Sequence, residues 1–275
     1  MPELPEVETV RRTLKNLVLH KTIRDIDVFY DKIIRNRTVD EFKQHLVGKT
    51  INDIRRYGKY LIFDFDDISL ISHLRMEGKY FIKNADFPKE KHEHIIFYFT
   101  DGDTLRYNDT RKFGTMDIVE TKDVFINSPI TKLGPEPFED KMNYAYLRKK
   151  LQHKSSPIKS VLLDQTVITG LGNIYVDEVL FLSKLHPTKK ANELKKKDLL
   201  NIIENSISVL NKAINLGGTT IRSYTSSLGV TGRFQNELNV HMKKDEACPK
   251  CNSTILKTKV NGRGTYFCPS CQKLK

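Results

Sequence analysis

Residues 59–82 read KYLIFDFDDISLISHLRMEGKYFI, and the short runs of branched and aromatic residues in this stretch predict β-strands. Asp66-Asp67 and Glu77-Gly78 separate the runs and are typical of turns. The same pattern extends from about residue 22 to about residue 120. So many short strands at close spacing predict a β-sandwich or a flattened barrel.

A helix is predicted upstream of the strands, over residues 5–19. Val7, Val10, Leu14 and Val18 recur three or four residues apart, which places their side chains on one apolar face. The N-terminal domain is therefore expected to combine strands with one leading helix.

Residues 127–138 predict a linker, because they hold three prolines and one glycine and show no hydrophobic periodicity. Beyond them the spacing of apolar residues is helical. Helices are predicted over about 143–152, 157–164, 173–183 and 192–216.

All four cysteines lie near the C-terminus, in the spacing C-x2-C-x16-C-x2-C. In a reducing compartment this spacing is typical of a four-thiolate zinc site rather than of disulfides. The predicted ligands of one zinc ion are Cys248, Cys251, Cys268 and Cys271. Four protein ligands leave the metal no open position for a substrate, so the predicted zinc is structural. No catalytic metal or redox cofactor is predicted.

The chain is basic, with 46 Lys and Arg against 34 Asp and Glu, a net charge of +12 and a pI of about 9.4. Residues 241–275 hold eight of the basic side chains and two of the acidic ones. This concentration predicts a nucleic acid as the partner, ahead of an acidic membrane. The sequence has no run apolar enough for a membrane span, and its first residues lack the apolar centre of a signal peptide. A cytoplasmic protein is therefore expected.

The first six residues carry a candidate catalytic group. Proline after the initiator methionine normally allows the methionine to be removed, which exposes Pro2 as a secondary amine. An α-amino group has a pKa of about 7.7–8, so part of it is unprotonated and nucleophilic near neutral pH. Glu3 and Glu6 offer carboxylates for proton transfer beside it. A start of this kind can also be no more than the beginning of a helix.

Several other segments mix cationic side chains with apolar or aromatic ones, or carry glycines that allow close approach of a phosphate. They are 55–60 with Lys59, 73–76 with Met76, 91–94 with His92, 109–113 with Arg111 and Phe113, and 170–178 with Asn173 as the expected helix cap. Each has a plainer explanation as surface charge, core packing or a turn. His92 and His94 do not predict a metal site, because no third ligand lies near them in sequence.

The order of these motifs along the whole chain resembles the formamidopyrimidine-DNA glycosylase family. The matching motifs are MPELPEVET, the Lys59 turn, SHLRMEG, KHEH, DTRKFG, LGPEP, GLGNIY, GGTT and GRGTYFCPSCQK. Each motif is weakly specific by itself, and their joint presence in this order is highly specific.

The resemblance implies a multidomain α+β fold: an N-terminal β-sandwich with a leading helix, a helix-two-turn-helix domain and a C-terminal zinc-finger β-hairpin. On this sequence the expected divisions are 1–126 for the catalytic domain, 127–138 for the linker, 139–238 for the helical domain and 239–275 for the zinc finger.

The resemblance also implies a bifunctional glycosylase and AP lyase that excises oxidised purines, such as 8-oxoguanine and formamidopyrimidines, from duplex DNA. Pro2 is expected to attack the anomeric carbon and form a Schiff base, with Glu3 as proton donor and Glu6 positioning the site. Lys59 is expected to donate a proton in β-elimination, and Arg263 to grip phosphates and assist δ-elimination.

Further expectations from the resemblance concern DNA contacts. His92, Arg111 and Asn173 are expected to bind backbone phosphates, Met76, Arg111 and Phe113 to fill the void left by the extracted base, and a loop over 217–235 to cover that base. The protein is expected to be a monomer in the bacterial cytoplasm that works at the nucleoid on DNA with oxidised bases or abasic sites.

Three alternatives remain open at this stage. An endonuclease VIII-like glycosylase for oxidised pyrimidines usually carries Gly where this chain has Leu4, which favours the purine branch. A zinc-containing nucleic-acid-binding protein without catalysis, or a ribosome-associated zinc-ribbon protein, would leave Pro2 and Glu3 without a role. The chain departs from the family's usual Tyr-Gly-Arg at His241-Met242-Lys243.

Overall fold

The computed structural model describes residues 1–219 and 232–274. Contacts divide the chain into two compact units, one of Met1–Lys132 with Gly217–Gly232 and one of Leu133–Leu216 with Arg233–Lys275. The first boundary between the units falls inside the predicted linker 127–138. The division into domains given above stays a prediction.

Among its described residues, the first unit contains two α-helices and eight strands. They are α1 Leu4–Val18, β1 Ile23–Val28, α2 Val39–Leu46, β2 Asp53–Tyr57, β3 Tyr60–Asp64, β4 Ile68–His73, β5 Lys79–Asn84, β6 Glu93–Phe99, β7 Asp103–Asn108 and β8 Thr115–Glu120. The strands form two antiparallel four-stranded sheets, in the orders β1-β6-β7-β5 and β2-β3-β4-β8.

Both sheets and α1 contribute side chains to one hydrophobic core. Val10 and Leu14 of α1, Phe63 of β3 and Phe97 of β6 belong to the same buried cluster. The strands form two separate sheets, and both sheets contribute to one core, so the architecture is a sandwich. This confirms the predicted β-sandwich with a leading helix and decides against the flattened barrel.

Helix α2 lies within the region for which only strands were predicted. Thr38 caps it, because its hydroxyl accepts a hydrogen bond from Glu41 N at 3.2 Å and its own N–H donates to Glu41 Oε2 at 2.7 Å. The side chains of Phe42 and Leu46 are buried on one face of this two-turn helix. The T-x-x-E capping box was the available sequence signal.

The second unit contains four helices and one two-stranded hairpin. They are α3 Tyr144–Leu151, α4 Ile158–Leu162, α5 Asn173–Leu182, α6 Lys196–Asn215, β9 Leu256–Val260 and β10 Arg263–Phe267. All four helices were predicted, and each ends or begins within a few residues of its predicted bound. Within residues 1–219 and 232–274, none of the helices is both long and apolar enough to span a membrane.

Arg106 on β7 organises the connection between β5 and β6. Its guanidinium is 1% exposed and donates to the carbonyl oxygens of Asn84, Phe87 and Pro88 at 3.1, 2.8 and 3.2 Å. It also donates to Glu93 Oε2 at 3.1 Å. The loop that carries His92 is thus held by one buried cation.

We expect Arg106→Ala to lower the free energy of unfolding by about 3 kcal/mol, because it leaves Glu93 buried with one cation fewer. Urea unfolding followed by circular dichroism measures the change. The control is Lys122→Ala, which removes a solvent-exposed partner of Glu120 and should leave the urea midpoint nearly unchanged. Equal midpoints for the two variants would contradict the role given to Arg106.

Candidate functional site

The beginning of the chain is enclosed by the first unit. Pro2 is buried, Glu3 and Glu6 are 2% and 4% exposed, and Met1 remains 47% exposed. Glu3 N donates to Glu6 Oε2 at 2.8 Å, which closes the first turn of α1. Pro2 would become the N-terminus after removal of Met1. It is buried, and so are Glu3 and Glu6, which follow it in the sequence.

Glu6 also holds the segment that begins at Gly217. Its Oε1 accepts hydrogen bonds from Thr219 N at 2.7 Å and from Thr219 Oγ1 at 3.0 Å. Gly218 has φ +77°, and a Cβ there would lie 2.7 Å from Glu6 Oε1, so glycine is required. A Cβ on Gly232 would lie 2.3 Å from the carbonyl oxygen of Gly218, so the two described ends of this segment meet.

The predicted covering loop over 217–235 lies partly outside the described residues. Its described parts are 217–219 and 232–235. The contact between Glu6 and Thr219 was not foreseen from the sequence, because nothing local connects two residues so far apart along the chain.

Lys59 lies in the two-residue turn between β2 and β3 and is 4% exposed. Arg56 fixes this turn to α1, because it donates to the carbonyl oxygen of Gly58 at 3.0 Å and to Glu8 Oε2 at 3.2 Å. Burial raises the pKa of Glu8, but the hydrogen bonds of Arg11 and Arg12 and nearby positive charge outweigh it and lower the pKa to about 2. Glu8 is thus an ionised anchor that sequence reasoning missed.

The turn after β4 carries Met76, which is half-buried, and Arg75, which is exposed. Arg75 adopts φ +53°, and its backbone N–H donates to His73 Nδ1 at 2.9 Å. Burial, helped by the charges of Arg75 and Lys59, lowers the pKa of His73 to about 3. The imidazole is therefore neutral and can accept this hydrogen bond.

The turn after β7 carries Arg111 and Phe113, both exposed. Phe113 is 50% exposed, and the Arg111 guanidinium carbon lies 4.8 Å from the centroid of its ring. Asp109, fully buried, accepts hydrogen bonds from three backbone N–H groups of this turn. The cationic and aromatic groups therefore project from a backbone fixed by one carboxylate.

His92 is half-buried at the end of the loop held by Arg106. His94 is buried and contacts the carbonyl oxygen of Asp109 at 2.9 Å through Nε2. Across the described ranges, the four cysteines are the sole group with the geometry of a metal site.

In the second unit, Asn173 is the first residue of α5 and Gly172 is its N-cap. The sequence prediction that Asn173 caps the helix is therefore wrong. Its amide Nδ2 donates one hydrogen bond instead to the carbonyl oxygen of Gly264 at 3.0 Å, in the hairpin formed by β9 and β10.

Arg263 is exposed and follows the Asn261-Gly262 turn of the hairpin, where both turn residues have positive φ. The next residue, Gly264, is fixed through its carbonyl oxygen, which also accepts from Lys159 Nζ at 2.9 Å. The fold therefore brings Asn173 next to the backbone that carries Arg263.

A buried ion pair supports this arrangement. Lys159 and Asp177 have fully buried side chains with 2.7 Å between Nζ and Oδ1. His241 Nδ1 contacts the other Asp177 oxygen at 2.8 Å. His241, at the departure from the family pattern, is thus a buried partner of Asp177, and no sequence signal had suggested this pair.

The four cysteine sulfurs lie within 4.8 Å of one another. Cys251 Sγ is 3.4 Å from Cys268 Sγ, and Cys248 Sγ is 3.9 Å from Cys271 Sγ. Zn–S bonds of about 2.3 Å in a tetrahedron place sulfurs about 3.8 Å apart, so the donor set fits one zinc ion with four thiolates. This zinc is structural, as predicted.

Three family models match consecutive parts of the chain. The formamidopyrimidine-DNA glycosylase N-terminal domain matches residues 1–116, the formamidopyrimidine-DNA glycosylase H2TH domain matches residues 133–225, and the zinc finger found in FPG and IleRS matches residues 245–274.

Curated relatives match over their full length. The chain is 51% identical to formamidopyrimidine-DNA glycosylase of Bacillus licheniformis, covering 99% of this chain and 100% of the relative. It is 49% identical to the protein of the same name from Ligilactobacillus salivarius, covering 100% of both.

Solved structures of Lactococcus lactis FPG are also similar. A complex of a variant with DNA containing Fapy-dG has a TM-score of 0.94 at 46% identity. Complexes with DNA containing an abasic site and with DNA containing an oxidised pyrimidine each have a TM-score of 0.92 at 46% identity. Each of the three covers 99% of this chain and 100% of the other chain.

We expect His73 to make the protein acid-sensitive. Because its pKa is lowered in the folded state, the unfolded state binds the proton more readily, so stability falls as pH drops from about 6.5 towards about 3. Between pH 7 and pH 5 the loss attributable to His73 is about 2 kcal/mol. His73→Asn keeps an acceptor and does not titrate, so its urea stability should change less over this range. Parallel pH profiles for both proteins would contradict the expectation.

We expect the purified protein to hold about one zinc ion per chain. Cys251→Ser should reduce the metal content and the melting temperature, because metal binding contributes to folding of the hairpin. Ser270→Ala, a neighbouring change outside the ligand set, is the control. A wild-type protein without zinc and with the same melting temperature as Cys251→Ser would refute the assignment.

Proposed function

Because the chain belongs to the formamidopyrimidine-DNA glycosylase family and is a DNA-repair glycosylase, we propose that it excises oxidised purines from duplex DNA with Pro2 as its nucleophile. The observation that carries the proposal is the enclosed N-terminus. Pro2 is buried, and so are Glu3 and Glu6, which follow it in the sequence. Met1 remains exposed to solvent, where it can be removed.

The first step is attack of the Pro2 amine on the anomeric carbon of the damaged nucleotide. The glycosidic electron pair leaves with the base, and the base takes up the proton that the positively charged Pro2 nitrogen loses after the attack. The nitrogen lone pair then forms a C=N bond as the ring C–O bond breaks, and Glu3 donates the proton that the ring oxygen needs. Glu6 is the positioning residue, because it fixes the peptide N–H of Glu3.

The resulting iminium is an electron sink for strand cleavage. Loss of a proton from the sugar carbon next to it allows the 3′ phosphate to leave by β-elimination, and a second proton loss allows the 5′ phosphate to leave by δ-elimination. Lys59 is the proton donor associated with the first elimination. Arg263 holds the phosphates and assists the second.

Each unit carries its own groups for DNA binding. His92 and Arg111 of the first unit and Asn173 of the second bind backbone phosphates. An amide nitrogen carries two N–H bonds, so Asn173 can donate to a phosphate while it holds Gly264. Met76, Arg111 and Phe113 fill the void in the base stack.

The lesion class rests on the relatives. Lactococcus lactis FPG was solved with DNA containing Fapy-dG, which supports oxidised purines as the first class of substrate. Its complex with an oxidised pyrimidine supports oxidised pyrimidines as a second candidate class.

The proposal also covers where the protein works, its oligomeric state and its division into domains. The relatives are bacterial DNA-repair proteins, which supports work in the bacterial cytoplasm on chromosomal DNA. We propose a monomer with a catalytic domain, a helical domain and a zinc finger divided as the sequence predicts.

Borohydride trapping tests the nucleophile. We expect the wild-type protein to form a covalent adduct with an 8-oxoguanine duplex, and intact mass to show that Met1 has been removed. Glu3→Gln should slow formation of the trapped adduct about 100-fold or more, because it removes the proton donor for sugar-ring opening. Zinc content and melting temperature check that this variant folds.

A preparation that retains Met1 is the matched control, since its Pro2 nitrogen is an amide. Normal excision by that preparation would end the proline mechanism. Faster release of an oxidised pyrimidine than of 8-oxoguanine would replace the proposed substrate class while leaving the mechanism intact.

A further inference from the structure

Asp109 satisfies the backbone of the turn that carries Arg111 and Phe113. Its Oδ1 accepts from Arg111 N at 3.0 Å, and its Oδ2 accepts from Phe113 N at 2.9 Å and Gly114 N at 2.8 Å. Lys112 in the middle of the turn has φ +58°, a conformation that non-glycine residues rarely adopt. One buried side chain therefore holds a strained turn in a single shape.

His73 performs the same task in the turn that carries Met76. It accepts the N–H of Arg75, which has φ +53°. The two turns thus share three features. In each, a buried side chain accepts backbone N–H groups of the turn, a basic residue has positive φ, and an apolar residue directly follows that basic residue.

Tyr107 lies between the two turns. It is fully buried, and a Cβ on Gly114 would lie 1.6 Å from its hydroxyl oxygen. A Cβ on Gly78 would lie 2.4 Å from the same oxygen. Both glycines are therefore required for the turns to close on one phenol, and this fixes the distance between the turns.

We propose that Asp109, His73 and Tyr107 are positioning residues that hold Met76, Arg111 and Phe113 ready for insertion into the base stack before DNA binds. The proposal rests on the proposed function, because it assumes that these three side chains fill the void left by the extracted base.

The physical argument is that a disordered turn loses conformational entropy when it inserts into DNA, which weakens binding. A turn whose N–H groups already bind buried acceptors is ordered before DNA binds, so it does not lose this conformational entropy on insertion. Undamaged DNA does not require insertion, and its binding depends mainly on phosphate charge. The positioning cluster should therefore affect the preference for damaged DNA more than general affinity.

The test compares two duplexes that differ in one position, a tetrahydrofuran abasic analogue or a normal nucleotide. Fluorescence anisotropy gives the dissociation constant of each for wild-type, Asp109→Asn and Asp109→Ala proteins. We expect Asp109→Ala to weaken binding of the abasic duplex at least about tenfold and of the undamaged duplex less than about twofold. Asp109→Asn retains one acceptor oxygen and should be intermediate.

Asp64→Ala is the matched control. Asp64 is a buried carboxylate in the same sandwich, at the opposite end of the β3–β4 pair from His73, and it accepts a hydrogen bond from Ser69 at 2.6 Å. The Asp64→Ala substitution should lower the melting temperature without changing the ratio of the two dissociation constants. All measurements are made well below the melting temperature of the least stable variant.

A second arm approaches the turn from the other side. Gly114→Ala should reproduce the loss of preference. Gly102→Ala strains a different turn, at φ +93°, but its Cβ meets nothing within 4 Å, so it should not reproduce that loss. A 2-aminopurine opposite the lesion reports insertion, and its fluorescence rise should be slower in the Asp109 variants.

The outcomes separate the two proposals. An unchanged ratio of dissociation constants in Asp109→Ala, or equal weakening of both duplexes, would overturn the positioning role. Failure of the wild-type protein to prefer the abasic duplex or to release 8-oxoguanine would instead overturn the proposed function.

Discussion

The hydrogen bonds accepted by the Glu6 carboxylate are the interaction on which the arrangement at the beginning of the chain depends. One of its oxygens accepts the N–H of Glu3, and the other accepts two hydrogen bonds from Thr219. A buried carboxylate is stable only when such donors replace its lost hydration. The same three bonds therefore close the first turn of α1 and fix a distant segment to it.

Buried carboxylates fix two further irregular segments in the same way. Asp109 accepts three backbone N–H groups, and Glu178 in the second unit accepts those of Asn239, Val240 and His241. Hydrogen bonds to an ionised acceptor are stronger than neutral ones, and buried backbone donors must find partners. Irregular segments can therefore be as well fixed as helices, and their exposed side chains inherit that order.

Patterns that depend on neighbours in sequence were predictable, and long-range pairings were not. The cysteine spacing gave the zinc ligands, and apolar periodicity gave α1 and the helices of the second unit, because both signals are local. Asn173 was expected to cap α5, yet its amide bonds to Gly264, 91 positions away. Lys159 and Asp177 look like ordinary helix-surface charges until the fold buries them together. Such partners follow from tertiary packing, which single-sequence patterns do not record.

The close approach of Gly218 and Gly232 has a consequence for how the chain tolerates changes in length. Leu216 and Arg233 are also joined, by a backbone hydrogen bond of 2.9 Å, so the polypeptide departs and returns at a single point. The entropy of closing an insertion there grows slowly with its length, by about 0.6 kcal/mol for each doubling. The chain between these two points can therefore change in length at a small entropic cost, while the hydrogen bond between Leu216 and Arg233 and the first turn of α1 stay as they are.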